Sequence, residues 1–308
     1  MRIDVHAHYY PDEYIRCLSD FGAATHQAGR APGAGVSLEQ RVELLDRSGI
    51  HLQVLCVGAQ QPYFANAEHA AEAARRANDS YADICGGYGG RFAAFAALPM
   101  PHLDAALQEL SRALDTLGMV GVNVGCTIAG QPLDDACFEP LFAELDRRAA
   151  VVFLHPLGLG CGPLVEDYGL SFTLGAPFED SIAALRLVRS GLTARYPHMR
   201  LIVPHLGGTL PFLFKRLDGS LNLEPGQRPS EHLKRMWFDT ANNHTAALRC
   251  AVESVGASQL VFGTDFPHVA GERFDRATSY IQESDLSQDD KSAILDHNAQ
   301  ALLGIPDR

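Results

Sequence analysis

Eight short runs rich in β-branched and aromatic residues recur along the chain, each followed by a stretch with helical spacing, and no other feature restricts the fold so strongly. They cover residues 3–5, 52–57, 92–98, 120–124, 151–154, 201–203, 237–239 and 260–262. Apolar runs without alternation are the pattern of parallel strands covered on both faces. The segments between them are long enough for crossover helices. Residues 134–149 set Phe138, Leu141, Phe142 and Leu145 on one face, and Ile182, Leu185, Val188 and Leu192 form a second such stripe. Eight alternating β and α units in 308 residues predict an α/β protein with one (β/α)8 TIM barrel domain over 1–308. The competing architecture, an open doubly wound sheet, would carry a glycine-rich phosphate turn after its first strand. Here that turn reads His6-Ala7-His8-Tyr9-Tyr10-Pro11. Residues 22–35, rich in Gly and Ala, predict an extra loop over one end of the barrel, and residues 289–303 a C-terminal helix.

Composition narrows the partners. With 46% hydrophobic and 20% charged residues the chain can build a large core, which excludes a disordered or low-complexity protein. Lys and Arg number 25 against 37 Asp and Glu, a formal charge of −12, and no basic run tracks a phosphate backbone, so nucleic acid is not an expected partner. No secretory leader is expected from a start that reads Met-Arg-Ile-Asp-Val-His. The most apolar window, 149–165, is broken by His155, Pro156 and several glycines, so no membrane span is expected either. Seven scattered cysteines without a C-x-x-C pair suit reduced thiols and a cytoplasmic location.

Active-site residues of a (β/α)8 barrel project from the carboxyl ends of its strands. Four of the runs lead directly into His or Asp beyond their last apolar residue: the first into His6-Ala7-His8 of Asp4-Val5-His6-Ala7-His8, the fifth into His155-Pro156, the sixth into Pro204-His205 and the eighth into Gly263-Thr264-Asp265. Residues i and i+2 of a strand share a face, so His6 and His8 can both address one ion. His155 and Asp265 add a third nitrogen and a carboxylate oxygen, leaving a position open for water or substrate. Such a ligand set predicts one divalent cation, Zn2+ first, with Mn2+ or Fe2+ also compatible. An H-x-H alone arises readily among thirteen histidines; the coincidence of four strand ends carries the prediction. His51, His69, His102, His198, His232 and His297 fall in helical or connecting segments and read as solvated or capping groups. His26, His244 and His268 fall in rim loops, where contact with substrate is open.

These residues resemble the metal-dependent amidohydrolase superfamily, in the branch of 2-amino-3-carboxymuconate 6-semialdehyde decarboxylase and related aromatic-acid decarboxylases. The resemblance spans nearly the whole chain. It includes Gly49-Ile50-His51-Leu52-Gln53-Val54, His205-Leu206-Gly207-Gly208 with Pro211 and Arg216, Gly263-Thr264-Asp265-Phe266-Pro267, and Asn298-Ala299-Gln300-Ala301-Leu302-Leu303. By resemblance His6, His8, His155 and Asp265 are the ligands and His205 is the acid/base. Residues 120–124 carry no lysine of the kind that bridges two metals in binuclear members, so a single ion is implied. Arg216 resembles an arginine that reaches the substrate carboxylate of the neighbouring subunit, which implies a homodimer. Arg30 resembles the arginine contributed by the same subunit. Paired guanidinium donors match the two oxygens of a carboxylate. Gly207 and Gly208 give backbone room for substrate, or else form a tight turn before a helix capped by Thr209.

The implied activity is non-oxidative decarboxylation of a small unsaturated or aromatic carboxylic acid, either aminocarboxymuconate semialdehyde-like or of the 6-methylsalicylate and hydroxybenzoate type. His205 and Asp265 would manage protons beside an ion that lowers the pKa of water from about 15.7 toward 7. The chain departs from the muconate enzyme around residues 170–177, where a matching aromatic is not evident. The alternative activity is metal-dependent hydrolysis of a lactone, ester or amide, which needs no carboxylate clamp. A third reading is a catalytically silent metal-binding barrel.

Overall fold

A computed structural model describes residues 1–25, 31–158, 162–219 and 228–306. All eight expected strands are present: β1 (Ile3–His8), β2 (Leu52–Cys56), β3 (Phe92–Ala97), β4 (Gly121–Gly125), β5 (Val151–His155), β6 (Arg200–Val203), β7 (Trp237–Asp239) and β8 (Leu260–Val261). They pair in parallel in chain order. Hydrogen bonds from Val5 N to Phe262 O, 2.9 Å, and from Asp265 N to His6 O, 2.8 Å, close the ring between first and last strands. Around the strands lie α1 (Asp12–Asp20), α2 (Leu38–Arg47), α3 (Ala67–Gly87), α4 (Leu103–Asp115), α5 (Glu139–Arg147), α6 (Ala176–Arg189), α7 (Leu210–Gly219), α8 (Thr245–Val255) and α9 (Glu272–Gln282). A final helical stretch ends in α10 (Asn298–Leu303). The architecture is a (β/α)8 barrel.

The unbroken apolar runs follow from two separate cores. Val5, Val54, Phe95, Val151, Phe153, Ile202 and Val261 fill the barrel interior, and Ala299 and Leu302 pack against that layer. The alternate residues, such as Val152, Leu154, Leu201 and Val203, face the helices. Each strand therefore buries both sides.

The sequence-based boundaries needed three adjustments. Strand β1 continues through His8, so the two histidines lie in the strand, and its register against β2 shifts between Asp4 and Ala7. Helix α5 starts at Glu139 after a turn, Ala136–Phe138, capped by Asp135, while Phe138, Leu141, Phe142 and Leu145 are all buried as expected. The expected stripe on α6 holds at Leu185, which packs against the core, and at buried Val188 and Leu192, the last beyond a left-handed Gly191, but not at Ile182, which is 47% exposed; Ala183, Ala184 and Leu187 complete the buried face. Small alanines carried the buried face, which a search for large apolar residues passes over.

Of the expected loop over 22–35, residues 31–33 lie at the barrel mouth. Gly33 N bonds Pro267 O at 2.9 Å, and Ala31 and Pro32 overhang the cavity there. Arg30 and His26 lie outside the described residues. Cys17, Cys56, Cys85, Cys126, Cys137 and Cys250 are free thiols. No helix among the described residues is long and apolar enough to cross a membrane.

Candidate metal centre and active site

Strands β1 and β5 and the turns after β6 and β8 bring His6, His8, His155, His205 and Asp265 together at the barrel mouth. His6 Nε2 and His8 Nε2 lie 3.2 Å apart. Asp265 Oδ1 stands 3.2 Å from His8 Nε2 and 3.4 Å from His6 Nε2. Candidate ligand atoms of His6, His8 and His155 all fall within 4.8 Å of one another, as do those of His6, His205 and Asp265.

The outer partners of these rings decide what they offer. His155 Nδ1 lies 2.8 Å from Pro156 O, which can only accept, so Nδ1 carries the hydrogen and Nε2 a lone pair. His6 Nδ1 donates to Asp239 Oδ2 at 2.8 Å, with the same result. Burial pushes the His8 imidazole down to about 3 and takes His155 well below its usual value. Burial opposes charge on His6 too, but the Asp239 carboxylate outweighs it and raises the affinity of that ring for positive charge. Desolvation disfavours an ionised Asp265, yet the His6, His8 and His205 rings hold its carboxyl far below the usual range. Converging lone pairs and a carboxylate repel one another unless a cation lies among them, so this donor set fits a divalent metal ion.

A buried polar frame fixes the ligands from behind. Asp4 accepts hydrogen bonds from His6 N, Gln53 Nε2, and Thr264 N and Oγ1, which joins β1, β2 and the turn after β8. Arg41 donates to Gln53 Oε1 and to His8 O, and its guanidinium stacks 4.5 Å from the Phe266 ring. Gly58 has φ +54, and a Cβ there would sit 2.5 Å from His8 Nδ1. The sequence reading passed over this whole frame.

His205 stands on a strained turn. His205, Leu206, Gly207 and Gly208 have φ of 55°, 58°, 76° and 60° in succession, and the two non-glycine members cost about 1–2 kcal/mol each. Asp239 Oδ1 accepts from His205 N at 3.0 Å, and Ser181 Oγ accepts from Thr209 N at 2.8 Å, so β7 and α6 clamp the turn. The Thr209 hydroxyl bonds Ser181 Oγ at 3.0 Å. The room left by the glycines goes to protein and not to substrate: a Cβ on Gly207 would meet the Phe238 ring at 2.7 Å, and one on Gly208 would overlap the Pro177 carbonyl. Gly208→Ala is therefore expected to lower stability by about 2 kcal/mol or more through overlap and a positive φ. A fall in the urea midpoint checks this; an unchanged midpoint contradicts it.

His205 Nδ1 bonds Asp180 Oδ2 at 2.8 Å, and Asp180 is wholly buried. Burial pulls the imidazole down, but the Asp180 charge and hydrogen bond, aided by Asp265 and Asp239, raise it to about 9. Burial in turn raises the Asp180 carboxyl to about 6, against the pull of His205. At neutral pH the pair is imidazolium and carboxylate, and the ring has a proton to give.

These groups open onto a cavity of about 440 Å3. Its lining includes His155, His205, Asp265, His268, Tyr10 and Gln60 beside Pro156, Ala31, Pro32, Phe172 and Ala176. His268 lies at this wall, with Nε2 2.9 Å from the Tyr10 hydroxyl. Phe172 supplies an aromatic ring from the 170–177 stretch. Arg216 is exposed on α7 and is not in the cavity of its own subunit, and His244 precedes α8 away from the lining. Asp239 ends a predicted strand, so the strand-end rule could have found it; nothing local marks Asp180.

Fold and site together define a (β/α)8 barrel enzyme with a candidate metal centre at the mouth of its barrel, where the first, fifth, sixth and eighth β/α units bring their His and Asp side chains together. The chain belongs to the amidohydrolase family: the family model described as "Amidohydrolase" matches residues 3–305. It is 32% identical over 295 residues to a gamma-resorcylate decarboxylase of Rhizobium radiobacter, covering 88% of each chain. It is 29% identical over 275 residues to a 2-amino-3-carboxymuconate-6-semialdehyde decarboxylase of Dictyostelium discoideum, covering 86% of this chain and 76% of that one. Among solved structures it is similar, with TM-score 0.84 and 26% identity over 100% of this chain and 98% of the other, to a dihydroxybenzoic acid decarboxylase from Polaromonas sp. JS666. That structure holds bound manganese and the inhibitor 2-nitroresorcinol.

Proposed function

We propose that this protein catalyses non-oxidative decarboxylation of a small carboxylic acid of the hydroxybenzoate type. The observation that carries the reading is the convergence at one cavity of His6, His8, His155 and Asp265, the proposed ligands of one cation, with His205 beside them and oriented by Asp180. The similarity to decarboxylases that act on resorcylate and carboxymuconate semialdehyde supports it. A bound Zn2+, or Mn2+ as in the Polaromonas enzyme, would supply positive charge against the carboxylate and a neighbouring oxygen of the substrate.

The side chains do the rest. Phe172, Pro156 and Ala176 offer an apolar wall to a flat ring and keep water from it. His205 delivers the proton to the ring carbon that bears the carboxylate. The carbon–carboxylate bond breaks as the new C–H bond forms, and carbon dioxide leaves. Asp265, whose ligand oxygen shares a 4.8 Å cluster with His205, can relay that proton. His268, whose ring centroid lies 5.2 Å from that of His8, is assigned to substrate contact beside the centre. Loss of the acid with equimolar carbon dioxide, from a panel of hydroxybenzoates and muconate semialdehydes, tests the assignment; unchanged acids and cleaved neutral esters would favour a hydrolase.

The working unit is assigned as a homodimer of single-domain 1–308 chains. Leu164, Tyr168, Phe172, Leu174 and Ile182 are exposed, and Phe212, 83% exposed, shares a face of α7 with Arg216 one turn on. Such a face suits a second copy and would carry Arg216 toward the partner's cavity, with Arg30 as the same-subunit counterpart. Free thiols agree with a cytoplasmic location. Mixing inactive His205→Ala and inactive Arg216→Ala chains, then unfolding and refolding them together, is expected to restore about a quarter of wild-type activity, since half the dimers then hold one intact site. No recovery in verified mixed dimers would place Arg216 outside the site.

A further inference from the structure

Resting on the decarboxylase reading, we propose that Gln60 is a specificity-determining residue that hydrogen-bonds an uncharged polar substituent on the substrate ring, so that the preferred substrate carries one carboxylate and not two.

Gln60 follows β2, is 8% exposed and lines the cavity. Its backbone is pinned: the N–H donates to Val57 O at 2.9 Å and the carbonyl accepts from the Tyr14 hydroxyl. Its carboxamide has no hydrogen-bond partner among the described residues. Neighbouring Gln61 is different, because its Nε2 is spent on Gly58 O and Asn123 Oδ1, both at 2.8 Å, and serves the loop. Tyr10 and His268 partly satisfy each other across 2.9 Å. Ser171 Oγ donates to Val165 O at 2.9 Å, so among the described lining residues Gln60 is the uncommitted neutral polar group, both donor and acceptor, and an almost buried amide is disfavoured unless a ligand or water meets it.

Charge decides what that ligand group is. The described lining holds the Asp265 carboxylate and no Lys or Arg. His205 is held by buried Asp180, Nδ1 to Oδ2, at 2.8 Å. One substrate carboxylate is accounted for by the proposed cation centre together with the arginines assigned above, Arg30 and Arg216 of the partner subunit. A second one placed at Gln60 would be desolvated with no described cation near it, whereas a hydroxyl can both give to and take from the amide.

The test compares wild type, Gln60→Leu and Gln60→Met, each loaded with Zn2+. The substrates are 2,6-dihydroxybenzoate, its one-hydroxyl-fewer analogue salicylate, and the dicarboxylate 4-hydroxyisophthalate. Resorcinol binding is measured by calorimetry. Both variants are expected to keep full metal content, to lose about 10–100-fold in kcat/KM for the dihydroxy acid, mainly through KM, and to change less than about threefold for salicylate. Resorcinol binding should weaken in parallel. Equal losses on both monocarboxylates, or a wild type that prefers the dicarboxylate, would overturn the inference. Should wild type release carbon dioxide from none of the acids, the decarboxylase reading fails on its own. Resorcinol binding would still judge Gln60, and equal affinity in wild type and variants would overturn it.

Discussion

His6→Ala and His155→Ala proteins are expected to bind Zn2+ at least about 100-fold more weakly than wild type and to lose decarboxylation altogether, since even outer partners of ligands cost roughly 10–100-fold when removed. The basis is geometric. Two nitrogens with their lone pairs fixed inward, one by Asp239 and one by the Pro156 carbonyl, meet His8 and Asp265 in a cluster a few ångströms across. Removing either ring leaves three donors and a gap that solvent fills. Metal analysis after dialysis, with Zn2+ titration of the stripped protein, reads the loss directly. Full metal content in both variants would show that the ion, if any, lies elsewhere.

Removing the partner of His205 should be nearly as costly. Asp180→Ala is expected to lower kcat by about 100-fold or more while leaving metal content intact, because oriented proton transfer is typically worth about 10^2–10^4-fold. Asp180 touches no ligand of the cation centre; it holds Nδ1–H, and so the direction in which Nε2 points. Without its carboxylate the burial of His205 is no longer offset, and in metal-free protein the imidazole titration, followed by NMR, should fall from about 9 to the usual histidine range or below. Stability follows the same sign. A raised His205 pKa stabilises the fold fully below the unfolded value of about 6.5, and that contribution fades as pH rises through about 9. In Asp180→Asn protein this fading should disappear. If the titration stays where it was, the pair is not what charges the ring.

What could be read before the structure, and what could not, divides along a physical line. Strands of this barrel bury both faces, so their apolar runs were visible as such, and the proposed ligands follow where those runs end. His6 and His8 were legible because a strand's two-residue period puts them on one side. Asp239 had the same signature and was overlooked because its strand is only three residues long and its carboxylate reads equally well as a strand terminator. Asp180 comes from another β/α unit and meets His205 across 25 residues of sequence, through packing alone. Ile182 shows the converse error, where a large side chain marked the wrong face of a helix whose buried side is built from alanines. Gln60 had no local mark either, since only the cavity distinguishes it from Gln61.

One measurement bears on the central claim most directly. Protein stripped with a chelator is titrated with Zn2+ or Mn2+ while carbon dioxide release from 2,6-dihydroxybenzoate or 6-methylsalicylate is followed. The account predicts no release without metal, activity that rises linearly and levels off at one ion per chain, and one carbon dioxide for each acid consumed. Full activity in the stripped protein, or saturation at two ions per chain, would contradict it.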